Sequence, residues 1–302
     1  MRVIVPTAIT AAMVTSSTAA EPSGADPTVY SAVTAYTAGQ FCYLASTHRV
    51  YKNLVASTGV SPDTDATKWL DYSATNKFKM FDSEVGTSTT ATTTLTAVIS
   101  TGANVNSIAL MELVGTTASV TVKSTAGGTT VYTNSISLDG TILIDWYMYF
   151  FDPYAFLTQW VLTDLPAYLA AEITVTISGT GTVSCGVCSL GQVYYLGDAR
   201  YGASVGIVDY SSKAYDSAYG RTVITKRAYS RKMDLSMLID STTFNKVATL
   251  LSTSLRSTPA VWIGTDSTTY APMIIFGYYK DWSITVQYPT AAVANLSIEG
   301  LT

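Results

Sequence analysis

The sequence is short of the residues on which most enzymes build their chemistry. Among 302 residues there is one histidine, His48, and there are three cysteines, Cys42, Cys185 and Cys188. The glutamates number five: Glu21, Glu84, Glu112, Glu172 and Glu299. Charged residues make up 13% of the chain, about half the share of a typical soluble domain. A sparse, odd set of cysteines is not a disulfide framework. The formal net charge of −4 lacks the basic excess of a general nucleic-acid binder. No apolar run approaches the roughly 20 residues that a membrane-spanning helix needs. These absences point away from an enzyme, a cofactor, a resident metal, direct nucleic-acid binding and membrane insertion.

What is abundant is hydrophobic and hydroxylic. Hydrophobic residues reach 48%, and tyrosines number 21. Tyr is both a strand former and an interface residue. A surface of Thr, Ser and Tyr suits β-sheets packed against neighbours better than a free cytoplasmic enzyme. The length allows two or three domains.

Four segments follow. Residues 1–27 form an N-terminal arm and linker. Arg2 precedes the apolar run VIVPTAITAAMV, and STAAEP resembles a cleavage zone, but Pro6 and threonines interrupt the run. It reads as an ordered arm or first strand rather than a signal peptide, closed by the Pro/Gly-rich EPSGADP. Residues 28–73 form a small module with strands expected near 40–45 and 49–56 and THR between them. Residues 74–200 alternate polar and apolar residues in TTTLTAVIS, SIALMELVG, ASVTVKS, TTVYTNSISL and AEITVTISG. Several short strands at this spacing predict a β-sandwich or jelly roll. The aromatic stretch 144–166 interrupts them, as a packed loop or a partner-facing edge. Residues 201–302 predict an α+β assembly domain. Its main helix carries Phe244, Val247, Ala248, Leu251 and Leu255 on one face, capped by Ser241 or Thr242 and ended before Pro259. The chain as a whole is mainly β.

In the small module, Tyr36, Gly39, Tyr43, Tyr51, Pro62 and Trp69 resemble the pattern of the chitin- and cellulose-binding modules attached to many hydrolases. The resemblance implies Tyr43, Tyr51 and Trp69 as a carbohydrate platform of exposed rings. The place where such modules often open with tryptophan holds Tyr30. The competing reading makes the same rings the core of a small domain.

Over nearly its whole length the chain also resembles tail proteins of phages of Gram-negative bacteria. The segments that carry this are ITAAMVTSSTAAEP, THRVYKNLVASTGVSP, WLDYSATNKFKMFD, QVYYLGD and GYYKDWSITVQYP. Where relatives tend to read N-R-W-x-M-F-D, this chain has Asn76-Lys77-Phe78-Lys79-Met80-Phe81-Asp82. The resemblance implies a virion component of the distal tail or baseplate that assembles in a symmetric ring. Its partners would be copies of itself, neighbouring tube and baseplate proteins, and host-surface glycan. The alternatives are a secreted non-catalytic carbohydrate-binding protein and a tail-associated polysaccharide hydrolase.

Other motifs have plain structural readings. Cys185-Gly-Val-Cys188 lies in a strand context rather than at a helix N-terminus, where a thiol pKa would fall, and no second pair supports zinc. His48 has no nucleophile elbow beside it. Asp145, Asp152 and Asp164 could supply a glycosidase carboxylate pair, but adjacent prolines make two of them turn residues. Asp63 and Asp65 lack the other ligands of a calcium loop. Arg221, Lys226, Arg227, Arg231 and Lys232 place five of 17 basic residues within 12 positions. They form either a solvated strand face or a docking surface for an acidic neighbour.

Overall fold

The computed structural model describes residues 1–141, 144–151, 153–216, 218–265 and 268–302. Half of the chain is strand and 9% is helical. The architecture is mainly β, antiparallel and sandwich-like, with one main helix of 11 residues near the C-terminus. Two compact units make up the chain: Met1–Pro6 with Leu190–Thr302, and Thr7–Ser189.

In the first unit, strand Arg2–Pro6 is hydrogen-bonded on both sides. Ile4 faces Val193 of Val187–Tyr195 on one side and Val261 of Ala260–Ile263 on the other. The run that resembled a signal peptide therefore opens as an interior strand, with Val3 and Ile4 fully buried. The approach is close at its end. A Cβ on Gly191, which faces Pro6, would lie 2.0 Å from the Val5 carbonyl oxygen, so only glycine fits there. From Ala260–Ile263 the sheet continues through Ile274–Val286 and Ala291–Gly300 to Tyr229–Asp240.

Phe244–Thr249 and the wider turn Leu250–Ser254 form the main helix. Val247, Leu251 and Leu255 are buried with Met233, Met237 and Trp262 of the sheet, whereas Phe244 and Ala248 are only partly covered. The start differs from expectation. Thr243 occupies the cap position without a side-chain cap bond, and Asp240 organises the preceding turn by accepting from the Thr242 amide at 2.8 Å. An aspartate three residues upstream competes successfully for the turn amide.

The second unit holds a five-stranded antiparallel sheet in the order Thr130–Ser137, Thr117–Lys123, Glu172–Cys185, Thr89–Ser100, Val14–Ser17. Its alternation is that of a half-buried strand. Val120, Val175 and Ala97 lie in register and are buried, and their neighbours along each strand are only partly buried. Residues 28–74 contribute a three-stranded meander, Phe41–Leu44, Arg49–Asn53 and Trp69–Ala74, and the short pair Ala35–Tyr36 and Ser57–Thr58. His48 turns the first hairpin with φ of 55°, a left-handed conformation that His tolerates better than branched residues.

The interior strand sets one expectation. Ile4→Ala removes a fully buried side chain and should cost about 2–5 kcal/mol, lowering the urea midpoint. Val33→Ala, at a position 91% exposed, should change stability by less than about 0.5 kcal/mol.

Candidate interaction surfaces

The module's core is aromatic because so short a segment has few other means of filling an interior. Trp69 is 2% exposed and packs edge-on against Tyr36 at 5.1 Å, and Tyr30 stacks on Tyr36 at 5.7 Å. The Trp69 indole N–H donates to the Val60 carbonyl at 3.1 Å. Tyr51 and Cys42 complete the cluster. Tyr43 is buried as well, beside an isolated bridge to Val29. The expected platform of Tyr43, Tyr51 and Trp69 is thereby corrected: none of the three rings offers a face to solvent, and stacking on a sugar requires one.

The opposite face of the same meander is covered at Tyr43 and Val50 but exposed at its other end. Phe41, Lys52 and Leu70 lie in register across the three strands. Phe41 packs edge-on against Tyr72 at 5.0 Å, with the Lys52 ammonium 5.8 Å from its ring centre. Phe41 and Tyr72 are exposed, Tyr72 by 56%. Beside them lies a cleft of about 360 Å³, lined by Asp26, Phe41, Val50, Tyr72, Ser73 and Lys79. Strand period 2 separates the two faces, but it does not say which one a small module buries.

The segment Asn76–Asp82 fastens distant parts of the chain through Asn76. Asn76 is buried, and its amide donates to the Ala20 and Thr90 carbonyls at 3.2 and 3.0 Å. Its oxygen accepts from the Thr90 amide and hydroxyl at 2.9 and 3.0 Å. Phe78 stacks against His48 at 4.4 Å. The His48 ring is held by Glu21, at 2.8 Å from Nδ1 to Oε1, and the Thr75 hydroxyl donates to the same carboxylate at 2.6 Å. His48 thus ties Glu21 to the hairpin. Asp82 is half-buried, and burial raises its carboxyl pKa to about 6.

Backbone bonds join residues 138–140 to residues 155–157. Gly140 donates to Ala155 and Leu157 to Leu138, both at 2.9 Å. Between them the short helix Trp146–Phe151 has no buried residue. The Asp145 carboxylate accepts from the Met148 amide at 2.8 Å and so caps this helix. Trp146 is 79% exposed, and Tyr147, Phe150, Phe151, Tyr154 and Phe156 are exposed with it. Asp164 accepts from the Tyr132 hydroxyl at 2.9 Å. Asp145 and Asp164 are thus bonded to Met148 and Tyr132 respectively, and Asp152 lies outside the described residues.

The basic cluster belongs to a second exposed surface. Ser204–Asp209 pairs with Tyr229–Asp234, and Ser212–Asp216 pairs with Arg221–Thr225 as a two-stranded sheet of its own. Every residue of Arg221–Thr225 is exposed. Lys232 pairs with Asp234 at 2.9 Å. The sequence placed the basic cluster on a solvated strand face or a docking surface without naming the strands that carry it. The alternation in SVGIVD and RTVIT was the available signal for this ribbon.

Cys185 and Cys188 are buried thiols, and burial pushes the pKa of Cys185 up to about 12 and that of Cys188 well above its ordinary value. Asp63 accepts from the Ser61 hydroxyl and Asp65 from the Thr67 hydroxyl, as turn residues do. Among the described residues no group of three His, Cys, Asp or Glu side chains is placed to hold a metal ion. No described helix is long and apolar enough to cross a membrane. Comparison with known proteins identifies no family: no family model, curated protein or solved structure matches the chain.

Two measurements follow from these environments. The Asp82 carboxyl binds its proton more tightly in the folded chain than at its ordinary value of 3.8. Its contribution to stability is therefore fully present below about pH 4 and is lost as pH rises through about 6. Asp82→Asn should gain in urea midpoint relative to the parent chain across that window, and a constant difference would refute the burial argument. Cys185 and Cys188 should resist a thiol reagent at pH 8 in the folded chain and react promptly in denaturant.

Proposed function

We propose that this chain is a structural protein of a phage tail, in the distal-tail or baseplate region, that assembles with copies of itself into a symmetric ring. Neighbouring tube and baseplate proteins would be its other partners, and the virion its location. The observation that carries this reading is the exposure of aromatic and aliphatic side chains in two separate segments, 144–156 and 205–229. Contiguous apolar patches of this kind on a soluble chain mark interaction sites. The low charge and high tyrosine content support the same reading. The likeness of the quoted segments to phage tail proteins supports the placement in a tail.

A contact with host-surface saccharide is the second part of the proposal, moved to the outer face of the small module. What favours it is the pairing of exposed Phe41 and Tyr72 with Asp26, Ser73 and Lys79 around one cleft. A ring supplies an apolar plate to sugar C–H groups, and the polar rim supplies hydrogen bonds. Weak sites repeated around a ring would gain by avidity.

Mass measurement of the purified chain, with images of the particle, tests the first part. A closed oligomer is expected. A monomer at every concentration, with no symmetric assembly in particles, would overturn it in favour of a secreted binding protein. Host polysaccharide tests the second part. Binding without sugar release is expected, weakened about tenfold or more by Tyr72→Ala, an aromatic contact of the kind that dominates interfaces. Trp69→Ala should instead unfold the module. Release of sugar would favour a hydrolase.

A further inference from the structure

We propose that the ribbon 204–229 is an arm that docks on the aromatic loop 139–157 of a second copy of the chain. The inference rests on the ring reading above and specifies its interface.

The arm is built in a way that calls for a cover. Lys213 faces Ile224 and Tyr215 faces Thr222 on one side of the outer pair, and Ala214 faces Val223 on the other. Tyr215, Val223 and Ile224 are all exposed, so apolar side chains stand on both faces of two strands that have no third among the described residues. Such a hairpin is at best marginal in water and becomes stable when a partner covers one face. At its tip Tyr219 is 86% exposed.

Charge selects the occupant. Ribbon 204–229 carries four Lys or Arg residues, Lys213, Arg221, Lys226 and Arg227, against two aspartates. Asp209 is held ionised by its bonds to Ser211 and by Lys213 and Lys226 nearby, which still leaves the arm in cationic excess. The loop is the opposite. Residues 139–157 include three aspartates, Asp139, Asp145 and Asp152, and no Lys, Arg or His. Asp139 is kept ionised by the Thr141 hydroxyl and amide, at the base of the loop whose rings are exposed. Arm against arm or loop against loop would set like charges together, and a lipid surface would find no cation on the loop for its phosphates. Arm against loop joins opposite charges around two sets of exposed rings. This contact uses different patches on the two copies, so it is heterologous and closes a ring when the rotation allows.

Charge reversal in the full chain tests the contact, with mass photometry as the readout and circular dichroism to confirm folding. One variant carries Lys226→Glu and Arg227→Glu, and the other Asp139→Lys and Asp145→Lys. Each alone should dissociate at least about tenfold more readily than the parent. Mixing the two should restore assembly, because the acidic arm then meets the basic loop and the unaltered arm meets the unaltered loop. A chain carrying all four substitutions should assemble by itself. Restoration cannot come from variants that merely misfold. If the parent assembles and both variants assemble equally well, the arm contact is wrong while the ring reading survives. A parent that is monomeric throughout overturns both. Parent chain that binds phosphatidylcholine vesicles through Trp146 instead of self-associating assigns the loop to lipid and overturns the proposal.

Discussion

Strand Arg2–Pro6 is bonded along both of its edges, and the C-terminal sheet depends on that insertion. Without it, Val187–Tyr195 and Ala260–Ile263 would each present a row of unpaired amides and carbonyls. Val3 joins Trp262, Met233 and Leu251 in one buried cluster, so the first residues of the chain help to seat the main helix as well. The Trp262 indole donates to the Gly277 carbonyl and the Tyr279 hydroxyl to the Leu251 carbonyl, each at 3.0 Å. The polar ends of large core residues are thus satisfied within the same layer. Tyr229–Asp240 pairs with Ala291–Gly300 in this sheet, and its first residues also form the base of the arm. An arm exposed on both faces remains ordered at its root because that root is a sheet strand.

In the small module the constraint is scarcity. A meander this short needs large rings inside, so Tyr36, Tyr51 and Trp69 are used for packing. Phe41 and Tyr72 stay exposed instead. The fastening around Asn76 follows the same economy. One buried amide satisfies backbone groups at Ala20 and Thr90, so two separate segments are held by a single side chain. Leaving such groups unpaired in a buried position would cost about 1–3 kcal/mol each.

The low overall charge conceals a strong segregation. Basic residues gather in and beside the ribbon, and none occurs between Lys123 and Arg200. Charges sorted in this way contribute to specificity and orientation more than to the stability of a fold. The same long stretch contains Cys185 and Cys188, which burial holds as thiols.

The sequence by itself determined the mainly β class, the alternating strands of the sandwich-like region, the turn at His48, and a helix packed through Val247, Leu251 and Leu255. These are local matters of side-chain period and turn preference, which are written residue by residue. The tertiary structure alone decided that the N-terminal run is an interior strand, since strand partners distant in sequence leave no local mark. It also decided which aromatic face of the module is covered. Period 2 assigns Tyr51 and Phe41 to opposite faces, but burial depends on what packs against each, and the interior took Tyr51 and Trp69 while Phe41 and Tyr72 stayed open to solvent.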